Sequence, residues 1–303
     1  SSGEEYATSV KVSDSAFPTT KFSKTTVNPR IAIKYELTPS LVLRANVGTG
    51  FRAPYGFSED LHLCSGSPRV WKSSNLKGER AISYNLSADY YAKKYQFSIN
   101  IFRTNLKDKI QFSPADDEVK KFGYSYQWEN VDDAYVQGVE LGAKANLFRN
   151  FNAGINWTFN QGKFKHERAD WSDPNDETVK EFPQRLQYAK DSRNISRFPA
   201  MTGDIDLDYT PGTWTFSLTS SLQGKMYIDY NSEDNGATSK IKKTNTFMIF
   251  NCRAAKRFGT CTVYAGAKNI FSYIQDEKHT DDAAFMYAPV YGATWYVGLS
   301  VKL

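Results

Sequence analysis

Residues 151–160 read Phe-Asn-Ala-Gly-Ile-Asn-Trp-Thr-Phe-Asn, and their two parities differ in chemistry. Phe151, Ala153, Ile155, Trp157 and Phe159 are apolar, whereas Asn152, Gly154, Asn156, Thr158 and Asn160 are polar or small. Successive side chains of a strand point to opposite faces, so the stretch predicts a strand with one apolar and one wetted face. The same period of two continues outward in both directions. Ile31, Ile33, Tyr35 and Leu37 alternate with Arg30, Ala32, Lys34 and Glu36, and Leu41, Leu43, Ala45 and Val47 with Val42, Arg44, Asn46 and Gly48. Val139, Leu141, Ala143, Ala145 and Leu147 alternate with Gly138, Glu140, Gly142, Lys144 and Asn146. Trp214, Phe216 and Leu218 oppose Thr215, Ser217 and Thr219, and Trp295, Val297, Leu299 and Val301 oppose Tyr296, Gly298, Ser300 and Lys302.

About eleven strands follow, over 29–38, 40–52, 78–92, 95–113, 124–147, 150–165, 197–210, 213–230, 243–257, 260–275 and 290–303. Many exceed the roughly five or six residues usual in soluble sheets and reach the roughly 9–11 that a tilted strand needs to cross a bilayer. The connections alternate in length. Thr38-Pro39-Ser40, Lys93-Lys94, Phe148-Arg149, Pro211-Gly212 and Phe258-Gly259 are tight turns; 1–28, 52–77, 114–123, 166–196, 231–242 and 276–289 are long. Every long connection therefore falls at one end, the form of an outer-membrane barrel with short periplasmic turns and long outer loops. Trp128, Trp157, Trp214 and Trp295 are expected at the interfacial girdles. The fold class expected is all-β, a transmembrane antiparallel β-barrel. Such barrels normally have an even strand count, so an odd count reads as part of a barrel wall.

Composition narrows the function classes. The 303 residues include 19 Tyr, 20 Phe and 6 Trp in a chain of mean hydropathy −0.56, with no run long enough for a membrane helix. A net charge of +5 from 38 basic and 33 acidic residues, dispersed along the chain, speaks against nucleic acid as a partner. Cys64, Cys252 and Cys261 lack the spacing of a zinc site, so no metal site is expected. Cys252 is expected opposite Ala265 across the Phe258-Gly259 turn, which excludes a Cys252–Cys261 disulfide. No nucleophile elbow or phosphate loop is present, so no catalytic residue is assigned and the chain is not expected to be an enzyme. The chain opens at Ser1 without initiator Met, basic n-region or apolar h-region, so any export signal is expected to have been removed or to lie outside it.

Two boxes flank the long segment after the second strand. The first is Phe51-Arg52-Ala53-Pro54, within Gly48-Thr49-Gly50-Phe51-Arg52-Ala53-Pro54, and the second is Asn75-Leu76-Lys77-Gly78-Glu79. With Asn130-Val131 to Gly138-Val139-Glu140, Lys268-Asn269-Ile270-Phe271 and the ending Tyr291 to Tyr296, they resemble the TonB-dependent outer-membrane receptors over about residues 29–303. The haem-uptake branch of that family has a similar pair of boxes with a histidine between them, here His62. Gly78 and Ser74 depart from the family's prolines.

The resemblance implies strands 12–22 of a 22-stranded barrel, with the N-terminal plug missing from this chain and residues 1–28 in an outer loop. It implies an outer-membrane location in a Gram-negative bacterium, contact with outer-membrane lipid, and energy from TonB through the missing region. The ligand implied is an iron-bearing macrocycle, haem by preference, carried as cargo with no intrinsic cofactor. Cobalamin or a siderophore is the alternative, and a non-energised pore or adhesion barrel a further one. His62 is the first candidate haem ligand, with His166 and His279 in other outer loops, because neutral imidazole binds haem iron. Tyr55 and Phe57, and further along Tyr287, are candidate stacking surfaces. Phe51, Arg52, Ala53, Pro54, Asn75 and Leu76 are motif residues whose own chemistry reads as strand exit and entry: Pro54 ends ladder donation, and Arg52 is expected to pair with a carboxylate such as Glu59 or Asp60.

Overall fold

The structure is a computed structural model and describes residues 25–54, 70–72, 76–114, 117–121, 126–166, 193–231, 239–275 and 286–302. Its first strands are β1 (Arg30–Thr38), β2 (Leu41–Arg52), β3 (Val70–Lys72), β4 (Glu79–Tyr91), β5 (Tyr95–Pro114), β6 (Tyr126–Phe148) and β7 (Phe151–Phe164). There follow β8 (Met201–Tyr209), β9 (Trp214–Gln223), β10 (Tyr227–Asn231), β11 (Ser239–Lys243), β12 (Phe247–Phe258), β13 (Cys261–Lys268) and β14 (Thr294–Val301). One sheet runs β1-β2-β4-β5-β6-β7-β8-β9-β12-β13-β14, and every neighbouring pair on that path is antiparallel. Eleven strands form the path, as the alternation predicts, in a meander whose neighbours in sequence are neighbours in space.

Register turns the alternation of single strands into two continuous faces. Ile99 lies opposite Leu141, Leu141 opposite Trp157, and Trp157 opposite Gly203; in the next row Phe97, Ala143, Ile155 and Ile205 align. This apolar face is uncovered, with Ile31 69% and Val297 81% exposed. A patch of that extent is a poor surface for water, and hydrocarbon is the solvent it fits. The other face carries the polar parity, and its groups bond across the strands. Asn85 donates to Asn46 at 3.0 Å, Asn100 to Glu140 at 2.9 Å and Asn156 to Asp204 at 2.8 Å, while Arg44 pairs with Asp89. The fold is that of a transmembrane barrel wall with a polar lumenal side.

Aromatic rings at the short-turn end form a connected chain: Phe148 on Phe151 at 4.7 Å, Phe151 to Tyr209 at 6.3 Å, Tyr209 to Phe216 at 6.5 Å and Phe216 to Trp214 at 5.5 Å. Lys256 lies over Trp214 at 4.7 Å, so the charge sits at the end of the apolar band. Two tryptophans do not follow the girdle expectation. Trp157 sits mid-face, where its indole covers Gly203, and Trp128 packs on Leu76 and Ile110 at the opposite end of the sheet.

Four further differences from the sequence reading have local causes. The expected strand 213–230 is β9 and β10, and 243–257 begins at β12, because breaks at 224–226 and 244–246 detach β10–β11 as its own two-stranded sheet. The expected strand 260–275 ends at Lys268, since Asn269 has φ 52° and leaves the ladder. The turn after β12 is Gly259-Thr260, with Gly259 at φ 61°, so Cys252 lies opposite Ala267 and not Ala265; both described cysteines are free. Within two segments read as loops, β3 pairs in parallel with β6 and Asp117–Lys120 makes one helical turn.

On the lumenal parity, Gly266 and Gly298 admit two rings. Tyr296 occupies the space a Cβ would take at Gly266, and Tyr264 the space at Gly298, while Arg253 lies 4.6 Å from the Tyr264 centroid. Gly298→Val therefore drives a side chain into the Tyr264 ring. It is expected to destabilise the barrel by about 1–3 kcal/mol, read as a lower midpoint of urea or thermal unfolding by heat-modifiable electrophoretic mobility. Tyr264→Ala added to Gly298→Val should recover part of the loss.

Candidate functional site

The end of the sheet bearing the long connections holds both boxes, and register brings them together. β2 and β4 align Arg52 with Glu79 and Phe51 with Arg80, so the first box leaves the sheet where the second enters it. The Phe51 ring fills the space a Cβ would need at Gly78, which explains glycine there in place of a bulkier residue. Arg52 Nη1 lies 4.0 Å from Glu79 Oε2, and that oxygen also accepts the Ile110 N–H at 3.0 Å. Arg52 thus has Glu79 as a carboxylate neighbour; Glu59 and Asp60, its expected partners, lie outside the described residues. Pro54 is fully buried, Ala53 is exposed, and Leu76 packs with Ile110 and Trp128.

Asn130 fastens this knot. Its Oδ1 accepts the Lys77 N–H at 2.8 Å, and its Nδ2 donates to the Lys77 carbonyl at 3.0 Å and to the Asp108 carbonyl at 2.7 Å. Asp108 itself sits at φ 53° in a bulge of β5, with its N–H donated to Asp133 at 3.1 Å. The bulge re-aims β5 where it leaves the regular apolar rows.

His166 is the one candidate histidine among the described residues. Its backbone N–H donates to Asp132 Oδ2 at 2.6 Å, and Nδ1 lies 3.1 Å from Asp132 Oδ1. Asp132 stands far beyond Val139, where the apolar rows of β6 end. Partial burial pushes its carboxyl up, but the hydrogen bonds from the His166 backbone, its ring and the Asp133 backbone outweigh this and hold it below the ordinary carboxylate range. His62, His279, Tyr55, Phe57 and Asn75 lie outside the described residues. Tyr287 is placed in a core cluster with Met226, Ile228 and Phe247, only 9% exposed. Among the described residues no group of three or more His, Cys, Asp or Glu side chains converges to hold a metal.

A cavity of about 820 Å³ adjoins the knot, within the size range of small-molecule sites. Thr25 to Pro29 flank it, with Phe51 and the outer ends of β4, β5 and β6. Arg80, Lys107, Lys165 and Arg193 line it against one carboxylate, Asp133, so its potential is positive. At the other side of the sheet, Asn269 organises the segment after β13. It donates to the Tyr273 and Tyr291 carbonyls at 2.7 and 3.2 Å, and accepts the Tyr273 N–H at 2.9 Å. Sequence reasoning assigned no role to Asn130 or Asn269 individually, although both lie in the quoted family stretches.

A wall of long antiparallel strands with one uncovered apolar face and one polar face defines the class of outer-membrane β-barrels. The chain belongs to the TonB dependent receptor-like β-barrel family, whose model matches residues 4–270. It is 26% identical over 266 residues to the vitamin B12 transporter of Photobacterium profundum, covering 86% of this chain and 36% of that protein. It is 27% identical over 151 residues to the ferric enterobactin receptor of Pseudomonas aeruginosa, covering 44% of this chain and 20% of that one. Among solved structures, the ferric citrate transporter FecA aligns with a TM-score of 0.63 at 20% identity, over 90% of this chain and 37% of that one. The copper transporter OprC aligns at 0.61 and 20% identity, over 89% and 38%. The chain thus covers little more than a third of the vitamin B12 transporter and of the two solved structures, and a fifth of the ferric enterobactin receptor.

Asn130→Ala is expected to remove three hydrogen bonds, costing about 1–3 kcal/mol at the rim. Faster amide exchange at Lys77 and in Leu76–Glu79, with the spanning strands unchanged, would show it. The Asp132 tie follows the sign of a depressed carboxyl: it is fully present above the ordinary Asp value and lost as pH falls through the lower folded value. Protection of the His166 amide, its exchange rate relative to the intrinsic rate at the same pH, should therefore be high at pH 6 and fall below about pH 4, and Asp132→Ala should remove it at both.

Proposed function

We propose that this chain forms part of the wall and outer rim of an outer-membrane receptor of a Gram-negative bacterium that takes up a scarce, anionic, metal-bearing ligand. The observation that carries the reading is the positively lined cavity beside the knot of the two boxes, at the end of the sheet where the connections are long. Arg80, Lys107, Lys165 and Arg193 would attract carboxylate, catecholate or phosphate groups of a chelate. The polar lumenal face gives a wetted path past the wall, and TonB is the expected partner that energises release. The process is binding and passage, with no bond made or broken in the ligand.

Within that class the order Phe51–Pro54, His62, Leu76–Glu79 favours haem, with His62 as an iron ligand and its propionates toward the cationic lining. Cobalamin or a siderophore is the second reading, favoured by the names of the relatives, one a vitamin B12 transporter and another a ferric enterobactin receptor. His166 remains the second candidate, because Asp132 engages only Nδ1 and leaves Nε2 open to a metal, with the carboxylate orienting the ring.

Titration of the intact receptor in detergent with haemin, followed in the Soret region, tests this. A saturable shift is expected, weakened about tenfold or more in His62→Ala and less in His166→Ala. A shift indifferent to His62→Ala would remove the residue from the site and leave haem. No saturable shift, together with calorimetric binding of cyanocobalamin or a ferric catecholate, would replace haem by that ligand.

A further inference from the structure

β1 and β2 carry four basic residues, Arg30, Lys34, Arg44 and Arg52, and all four fall on the lumenal parity. Three have a carboxylate beside them: Lys34 bonds Glu36 at 2.6 Å, Arg44 pairs with Asp89, and Arg52 lies 4.0 Å from Glu79. Arg30 has no such neighbour among the described residues. Register sets Arg30 opposite Gly48, Gly48 opposite Ser83 and Ser83 opposite Thr104. On the outward side of β5 the residue before Thr104 is Arg103, the first polar one above Phe97, Ile99 and Ile101. The Arg30 row therefore lies near the outer end of the apolar band, where the lumen opens.

The wall is hollowed at this level. A recess of about 550 Å³ has Gly48, Gly50 and Ala81 in its floor and Arg30, Asn46 and Asn85 at its edge. A Cβ at Gly48 would stand 3.1 Å from Arg30 Nε and 3.4 Å from its Cγ, so the arginine lies along the wall across that glycine. A cation that served only to wet the lumen would need no such bed. Asn85 Nδ2 donates to Asn46 Oδ1 at 3.0 Å, which leaves the Asn46 amide N–H groups as donors at the edge. None of the described lining residues is acidic. A guanidinium fork and an amide donor over a floor of small residues suit an oxyanion attached to a broader body. The recess shares Thr49, Gly50 and Ala81 with the cavity beside the boxes, so the two adjoin at the outer ends of β2 and β4, yet none of the cavity's four cations lines it.

We infer that Arg30 is a specificity-determining residue, binding in this lumenal recess an oxyanion of the cargo, a carboxylate or a phosphate. The inference rests on the uptake reading above and deepens it, since it names the group on the wall that takes the ligand's negative charge once it has passed the rim. Lys34, Arg44 and Arg52 are spent on carboxylates of the chain itself, which leaves this one position on β1 and β2 to select for charge in the ligand.

The test titrates the intact receptor in detergent with haemin and with haemin dimethyl ester in the Soret region, and by calorimetry with ferric enterobactin and cyanocobalamin. Wild type is expected to bind haemin more tightly than the ester, and Arg30→Gln to lose roughly tenfold or more for haemin and nothing for the ester. Ala32→Glu keeps the arginine but neutralises it, because the Lys34–Glu36 pair shows that residues two apart on this face reach each other. It should reproduce the loss, whereas Lys34→Gln, already paired, should lose none. Where wild type binds ferric enterobactin or cyanocobalamin in place of haemin, the same loss is expected for that probe. Equal affinity of wild type and Arg30→Gln for the bound probe overturns the site, and an equal loss for haemin and its ester overturns the oxyanion. Binding of none of the probes by folded wild type overturns the uptake reading and this site with it. Heat-modifiable mobility reports folding for every sample; should Arg30→Gln not fold, Ala32→Glu decides.

Discussion

Backbone amides in hydrocarbon have no water to bond, so each must find a partner within the protein. That constraint accounts for most of what this chain is. It demands long strands, since the ladder must persist through the full apolar thickness, and it demands antiparallel neighbours joined by the shortest turns the geometry allows. Past the shift between Asn146 and Phe148 at the β6–β7 turn, β5, β6 and β7 meet it with registers that run unbroken to the level of Leu106 and Ala134. Irregularity returns only beyond, with Asp108 in the left-handed region and the bulge beside it.

Once the ladder is fixed, the period of two does the rest. A one-residue slip anywhere would exchange the faces, placing Glu140 and Asp204 in hydrocarbon and Leu141 and Ile205 in the wetted lumen. The two faces therefore specify register jointly, and cross-strand polar pairs such as Asn46–Asn85 and Asn100–Glu140 reinforce it from the lumenal side. Glycine supplies the remaining freedom. At Gly78, Gly266 and Gly298 a neighbouring ring takes the place of a side chain, so large aromatics fit within a strand spacing that leaves them no other room.

Strand number, strand sense and the sides of the wall were legible in the sequence because each depends on a local pattern repeated many times. The failures are local exceptions with tertiary causes. The residues 213–230 keep their apolar pattern through the break at 224–226, where the Met226 N–H turns to the Thr244 hydroxyl and Gly224 to the Met201 carbonyl. Nothing in the period of two announces those bonds. Asn269 was legible as part of a family stretch but not as the residue that ends β13, because only its four hydrogen bonds, to Asn251, Tyr273 and Tyr291, reveal why it holds a positive φ. Tyr287 reads as a surface ring in a long loop, yet the segment crosses to β9, where Gln223 donates to its carbonyl, and the ring joins a core. The boxes were read correctly as strand exit and entry; the identity of Glu79 as a neighbour of Arg52 needed the β2–β4 register.

The rim and the band consequently obey different rules. Within the band a side chain is judged by which solvent its face meets, and charge on the outer face is excluded at a cost of roughly 2–4 kcal/mol near the midplane, falling toward zero at the interface. Above it water is available again, strands may bulge, and polar side chains are free to tie backbone segments together as Asn130 and Asp132 do. Positive residues accumulate at this boundary in successive rows of one face: Arg103, then Lys163, then Arg80 and Lys107, which line the cavity beside the boxes. What such a scaffold offers a ligand is a rigid wall, fixed by backbone pairing below, that presents charge and hydrogen-bonding groups where the pairing constraint is relaxed.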